Sequence, residues 1–164
     1  MVANIRSGAT PGGALRYNKE KVDKDEAEVL FWQKMLEPFD KHGRMDVDAC
    51  MDSFWPYLEA NCRTTNTVFH ASLNPSPEDR LTDDQLRDIA QEYMERMGYG
   101  NQPYIVFKHK DIDRQHLHIV SLRVDEKGRK LPHDFEARRS AEITRDLEHK
   151  SKVRNRGTPP IFGK

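Results

Sequence analysis

The chain has 164 residues, a length typical of one domain, and its hydrophobic fraction of 36% is enough for a buried core, while 33% of its residues are charged. No apolar run approaches the ~20 residues of a membrane span, and the N-terminal segment has no apolar signal-peptide core, so we expect a cytoplasmic protein without membrane contact. The net charge is zero, but residues 1–100 carry a net −6 and residues 101–164 a net +6, so the total does not exclude a nucleic-acid partner.

Apolar periodicity divides the chain into strands and helices. In chain order it predicts a strand at 2–5, a helix at 14–22, a short apolar segment at 29–35, a helix at 46–60, a strand at 67–73, a helix at 82–97, strands at 104–109 and 116–124, and a helix at 134–150. Pro56 predicts a kink or an early end of the second helix, and Thr82 with Gln85 predicts a capping box on the third. The basic segment 151–164, which contains Gly and Pro, is expected to be disordered or to mark a truncation, so the predicted domain is 1–150.

Three histidines lie where the strands predicted at 104–109 and 116–124 meet their connecting loop. Side chains alternate between the two faces of a strand, so His116 and His118 point the same way, and an antiparallel hairpin would bring His109 beside them. Three imidazoles that converge from adjacent strands suit a metal ion and leave coordination positions open for water or substrate. The residues alone leave open the alternative that these histidines are packing or surface residues.

Two further residues are candidates for supporting this site. Asp111, in the loop between the strands, could orient a ligand histidine, although loop aspartates are more often solvated turn residues. His70 approaches the site if its strand joins the same sheet, and a supporting role or core packing fits it better than ligation. Three imidazoles favour Zn or Ni, whereas phosphoryl transfer often uses Mg or Mn.

Tyr17 differs from the other tyrosines because its neighbours in sequence are polar and it follows a glycine-bearing loop. Such a segment can approach a backbone phosphate closely. A tyrosine nucleophile would form a phosphodiester that conserves the energy of the broken bond, whereas a metal-bound water would give a hydrolase. Composition alone leaves open that Tyr17 is a half-buried aromatic on an amphipathic helix.

Several motifs resemble those of one protein family. The run HKDIDRQHLHIV, which contains the three histidines, resembles the third motif of the mobilization relaxases, members of the HUH endonucleases, and GGALRYNKEKV around Tyr17 resembles their first motif. The segments FHASLNPSPEDRLTDDQLRDIAQEYMERMGYG and QPYIVFKH resemble the connection between their second and third motifs. The similarity covers about residues 1–150. The tyrosine precedes the histidines, as it does in relaxases, whereas rolling-circle initiators usually carry it after them.

The resemblance implies an α+β fold in which a central antiparallel sheet is flanked by helices, with a ferredoxin-like or palm-like core. It implies nicking and rejoining of plasmid or transposon DNA at an origin of transfer, with Tyr17 as the nucleophile that becomes linked to the 5′ phosphate. His109, His116 and His118 would be the metal ligands, with Mg or Mn as the functional metal. The implied partners are single-stranded and hairpin DNA, together with accessory mobilization proteins.

Polar and basic residues near these motifs and in the basic part of the chain are candidates for DNA contact. They are Arg16, Lys19, Ser72, Lys110, Arg114, Arg123, Arg138 and Arg139. The residues leave three alternatives to a relaxase open. These are a rolling-circle replication initiator with the same chemistry, a non-catalytic DNA-binding module that keeps the histidines for structure, and a metal-dependent hydrolase of small phosphoesters.

Overall fold

The computed structural model describes residues 1–157, and within them the chain forms five strands and four helices. In chain order these are β1 (Val2–Gly8), α1 (Pro11–Asp23), β2 (Ala27–Gln33), α2 (Val47–Ala60), β3 (Val68–Asn74), α3 (Asp83–Arg96), β4 (Tyr104–His109), β5 (His116–Leu122) and α4 (Glu136–Gly157). Among the described residues, no helix is both long and apolar enough to cross a membrane.

The five strands form one sheet in the order β1-β3-β5-β4-β2, and every neighbouring pair is antiparallel. β5 is therefore the central strand, with β3 on one side and β4 on the other. Helices α1 and α2 pack on one face of the sheet, and α3 and α4 pack on the opposite face. The expected α+β fold with a helix-flanked antiparallel sheet is confirmed.

Strand alternation gives each face of the sheet its own core. On β5, Leu117 and Ile119 pack towards α3 and α4, whereas Val120 and Leu122 pack towards α1 and α2. The same alternation continues to the loop-proximal end of β5, so His118 lies on the face that α1 covers. On the face that α1 covers, the side chains of β4 and β5 are therefore apolar away from the connecting loop and are imidazoles at the loop-proximal end.

Local sequence signals explain where the helices begin. The Thr82 side chain accepts from the backbone N–H of Gln85, and the Gln85 side chain accepts from the backbone of Thr82, so the predicted capping box is confirmed. α1 begins at Pro11, earlier than predicted, because proline is favoured in a first helical turn where its missing N–H has no partner to lose. In α2, Pro56 does not end the helix, which continues to Ala60.

The structure corrects three predicted boundaries. β1 continues to Gly8 rather than ending at residue 5, because its polar residues pair with β3 along the full length of the strand. The apolar segment at 29–35 is the edge strand β2, paired with β4. α4 continues past residue 150, its predicted end, to Gly157. Residues 158–164 of the predicted tail lie outside the described residues.

Arg123 is a core residue and not, as expected, a DNA contact. Only 4% of its surface is exposed, and its guanidinium donates two hydrogen bonds to Glu136, at 2.8 and 2.9 Å. The guanidinium carbon also lies 5.2 Å from the ring centre of Phe69. Arg123 follows β5 directly, and Glu136 lies in the first turn of α4. The ion pair therefore joins these two elements, and the Arg123 charge is not accessible to solvent.

We expect Glu136→Gln to lower the free energy of unfolding by about 3 kcal/mol, because it leaves the buried Arg123 charge without its counter-charge. Glu142→Gln is the matched control, since Glu142 forms an exposed ion pair with Arg138 and its loss should change stability by less than about 0.5 kcal/mol. Urea unfolding followed by circular dichroism measures both. Equal losses in the two variants would contradict a structural role for Arg123.

Candidate active site

His109, His116 and His118 form a compact cluster at the ends of β4 and β5. The register pairs His109 with His116 across the two strands, and His118 lies opposite Phe107. Each histidine offers a ring nitrogen, and these atoms all lie within 4.8 Å of one another. The ring centres of His109 and His118 are 3.8 Å apart and nearly parallel. The hairpin geometry expected from alternation is therefore present, and the three side chains could hold a metal ion.

Asn18 fixes the orientation of the His109 ring. Asn18 is fully buried on α1, and its Nδ2 donates to the carbonyl of Ala14 at 2.9 Å. This bond turns Oδ1 of Asn18 towards Nε2 of His109, 2.8 Å away. Because an amide oxygen can only accept, Nε2 of His109 must carry the proton. The lone pair of its Nδ1 is then available to a cation.

The other two histidines are also held through one ring nitrogen each. Nε2 of His116 lies 3.0 Å from Oδ1 of Asp111, whose other oxygen accepts from Lys21 at 3.0 Å. Nδ1 of His118 lies 3.0 Å from Nε2 of His70 on the neighbouring strand β3. Both candidate supporting residues therefore contact a histidine of the cluster. Partners of this kind orient metal-binding imidazoles and select their tautomers.

The surroundings favour neutral imidazoles at His109 and His118. Burial, with a smaller contribution from the neighbouring histidines, lowers the pKa of His109 to about 4 and that of His118 to about 3. Partial burial raises the pKa of Asp111, but hydrogen bonds from Lys21 and His116 outweigh it and bring the pKa to about 2. Neutral imidazole is the form that coordinates a metal, so this donor set fits a divalent ion.

Tyr17 lies beside the histidine cluster with its side chain open to solvent. Its ring centre is 6.3 Å from those of both His109 and His118, and its plane is tilted only 25° from that of His109. The residue is 46% exposed, although its neighbour Asn18 is fully buried. Leu15 and Asn18 face the sheet from α1, and the helical turn between them directs Tyr17 to the rim of the cluster.

Tyr17 also lines a cavity of about 320 Å³ between α1 and the sheet. Its other polar or ionisable lining residues are Asn4 and Arg6 of β1, His70 and Ser72 of β3, and His118 of β5. The candidate DNA contact Ser72 is therefore next to the tyrosine. His118 lines the cavity and also belongs to the histidine cluster.

The remaining candidates for DNA contact are scattered. Lys19 pairs with Asp23 at 2.7 Å, and Lys110 pairs with Asp25 at 3.2 Å, so acidic neighbours compensate both charges. Arg16 on α1 is exposed and has no ion pair within the described part of the chain.

Three arginines lie away from the cavity. Arg114 is exposed in the loop before β5 and borders a different hollow, next to Asn74. Arg138 and Arg139 lie on α4, on the opposite face of the sheet from the histidines, and Arg139 donates to the backbone carbonyl of Asp134. The structure therefore does not bring these three to the tyrosine.

Sequence reasoning missed Asn18 and Arg6. A signal for Asn18 exists, because it falls three residues after Leu15 and four before Val22, on the stripe of α1 that faces the core. A polar residue at such a position needs a buried hydrogen-bond partner. Arg6 had no comparable signal, because the strand that carries it was predicted to end at residue 5.

We expect Asn18→Ala to weaken metal binding by about 10–100-fold, because His109 loses the acceptor that sets its tautomer and ring orientation. Asn61→Ala is the matched control, since among the described residues the Asn61 side chain bonds only to the backbone of Thr64, far from the cluster. Calorimetric titration with Mn²⁺ or Zn²⁺ gives both affinities. An unchanged affinity in Asn18→Ala would show that His109 does not depend on this bond.

The chain also matches a known protein family. The family described as Relaxase: MobA/VirD2-like, nuclease domain, matches residues 17–153 of the chain. The matched range begins at Tyr17 and contains all three histidines of the cluster. No curated protein matches the chain.

Proposed function

Since this chain belongs to the MobA/VirD2-like relaxase family, whose matched part is the nuclease domain, we propose that it nicks and rejoins one DNA strand through Tyr17 at an origin of transfer. The observation that carries the proposal is the position of Tyr17, an exposed phenol 6.3 Å from two rings of the histidine cluster. The proposed nucleophile, Tyr17, then lies beside the proposed metal-binding histidines on one surface that is accessible to DNA.

The proposed reaction is a transesterification. The Tyr17 hydroxyl attacks the scissile phosphorus and loses its proton to solvent. The bond between phosphorus and the 3′ oxygen breaks, the 5′ phosphate becomes linked to Tyr17, and the 3′ oxygen takes up a proton to leave as a hydroxyl. The phosphotyrosyl bond replaces the phosphodiester bond, so attack by a 3′ hydroxyl can reverse the reaction and rejoin the strand.

The histidine cluster would hold the divalent metal that this chemistry uses. A metal bound there supplies a positive charge that withdraws electron density from the phosphate. Asn18, Asp111 and His70 hold the three imidazoles in position before DNA binds, so little reorganisation is needed. We propose Mg or Mn as the functional metal, although three imidazoles also suit Zn or Ni.

The proposed substrate is single-stranded DNA together with an adjacent hairpin in a plasmid or transposon, and accessory mobilization proteins are the proposed partners. The exposed surface around Tyr17 supports a single strand better than a duplex, because a single strand can bend its backbone into the cavity beside the tyrosine. We place the reaction in the cytoplasm, where such DNA elements lie.

We expect Tyr17→Phe to abolish strand cleavage and leave metal binding unchanged, because only the attacking oxygen is removed. The assay uses labelled single-stranded oligonucleotides that tile the noncoding DNA next to the gene, with Mn²⁺, and scores a protein–DNA adduct that survives denaturation. Tyr57→Phe, on α2, is the matched control and should form the adduct normally. Cleavage retained by Tyr17→Phe would instead indicate a metal-activated water, as in a hydrolase.

We expect the double change His116→Ala and His118→Ala to remove the bound metal, since one imidazole alone gives a weak site. The metal content of the purified protein, measured by elemental mass spectrometry after loading with Mn²⁺ or Zn²⁺, should fall from about one ion per chain to background. His133→Ala, an exposed histidine before α4, is the control. Unchanged content in the double variant would place the metal elsewhere.

A further inference from the structure

Arg6 is an exposed cation at the edge of the sheet, on the same face as the histidines. It lies on β1 directly opposite His70 of β3 and lines the cavity next to Tyr17. Its charge is close enough to contribute to lowering the pKa of His70, after the larger effect of burial. Within the part of the chain that the structure describes, Arg6 has neither an ion pair nor a side-chain hydrogen bond.

Cations on the other side of the cluster are compensated. Lys21 lies 3.2 Å from Glu26 and 3.0 Å from Asp111, and Lys110 lies 3.2 Å from Asp25. An anion approaching there would have to compete with carboxylates. Among the described residues, the cations near Tyr17 that have no ion pair are therefore its neighbour Arg16 on α1 and, across the cavity on β1, Arg6.

The cavity beside Arg6 has the lining of an anion site. Asn4, Ser72 and His70 offer hydrogen-bonding groups around it, and none of the described residues that line it carries a carboxylate. Its volume of about 320 Å³ is at the small end of the range for ligand pockets. A guanidinium next to uncharged donors, without an acidic partner, is the arrangement that binds phosphate oxygens.

Resting on the proposed strand transfer at Tyr17, we propose that this cavity is a DNA subsite in which Arg6 binds the phosphate next to the scissile one. β1 lies two strands from β5, or roughly 10 Å at the usual strand spacing. That separation exceeds the width of one phosphate group. A single strand lying across the sheet would therefore place one phosphate at Tyr17 and the histidines, and its neighbour at Arg6.

The first test measures DNA binding without cleavage, in a Tyr17→Phe background with chelator, using a labelled single-stranded oligonucleotide of mixed sequence. We expect Arg6→Gln to weaken binding about tenfold at low salt. The slope of log affinity against log salt should fall by about 0.7, the value for one lost phosphate contact on a single strand. Arg6→Lys should retain the slope, because it keeps one cation at the position.

Arg145→Gln is the matched control, since Arg145 is exposed on α4 across the sheet, and it should leave both affinity and slope unchanged. An Arg6→Gln variant with an unchanged slope would overturn the subsite while leaving the proposed strand transfer intact. Failure of the Tyr17→Phe parent to bind single-stranded DNA would overturn both proposals.

The second test locates the phosphate. In the oligonucleotide that forms the adduct, the phosphates around the nick are replaced one at a time by neutral methylphosphonates. At the phosphate next to the nick, the replacement should weaken binding of the parent but cause no further loss in Arg6→Gln. The assignment would be contradicted if the replacement at that phosphate weakened binding of Arg6→Gln as much as it weakens binding of the parent. It would also be contradicted if only the replacement at the scissile phosphate had no further effect in Arg6→Gln.

Discussion

The antiparallel pairing of β4 with β5 is the constraint on which the site depends. It places His109 opposite His116, and strand alternation adds His118 on the same face. A shift of one residue in register would turn these imidazoles away from each other. The buried residues that continue both strands, such as Ile105 and Val120, hold that register, so the same strand pairing forms the core and the histidine cluster.

Helix α1 connects the histidine cluster to Tyr17, the proposed nucleophile. Leu15 anchors the helix in the core, Asn18 bonds to His109, and Tyr17 is presented to solvent between them. Three residues with different roles thus lie within about one turn of the same helix. Because Asn18 and Tyr17 are adjacent in sequence, the bond that selects the His109 tautomer also limits where the tyrosine ring can lie.

Residue patterns predicted the parts of the site that are local in sequence. The hairpin and its three histidines follow from alternation across a short loop, and the family resemblance pointed to Tyr17. The bond between Asn18 and His109 joins residues 91 positions apart, so it depends on how α1 packs on the sheet. Arg123 was misjudged for the same reason, because its partner Glu136 lies on another element and only the packed fold buries the pair.

The proposed strand transfer requires the Tyr17 oxygen to form the covalent link to DNA. Mapping the adduct by mass spectrometry tests this most directly. After nuclease and trypsin digestion, we expect a nucleotide phosphate attached to Tyr17 in the peptide of residues 17–19. A nucleotide attached to any other residue, or a cut strand with a free 5′ phosphate and no modified peptide, would contradict it.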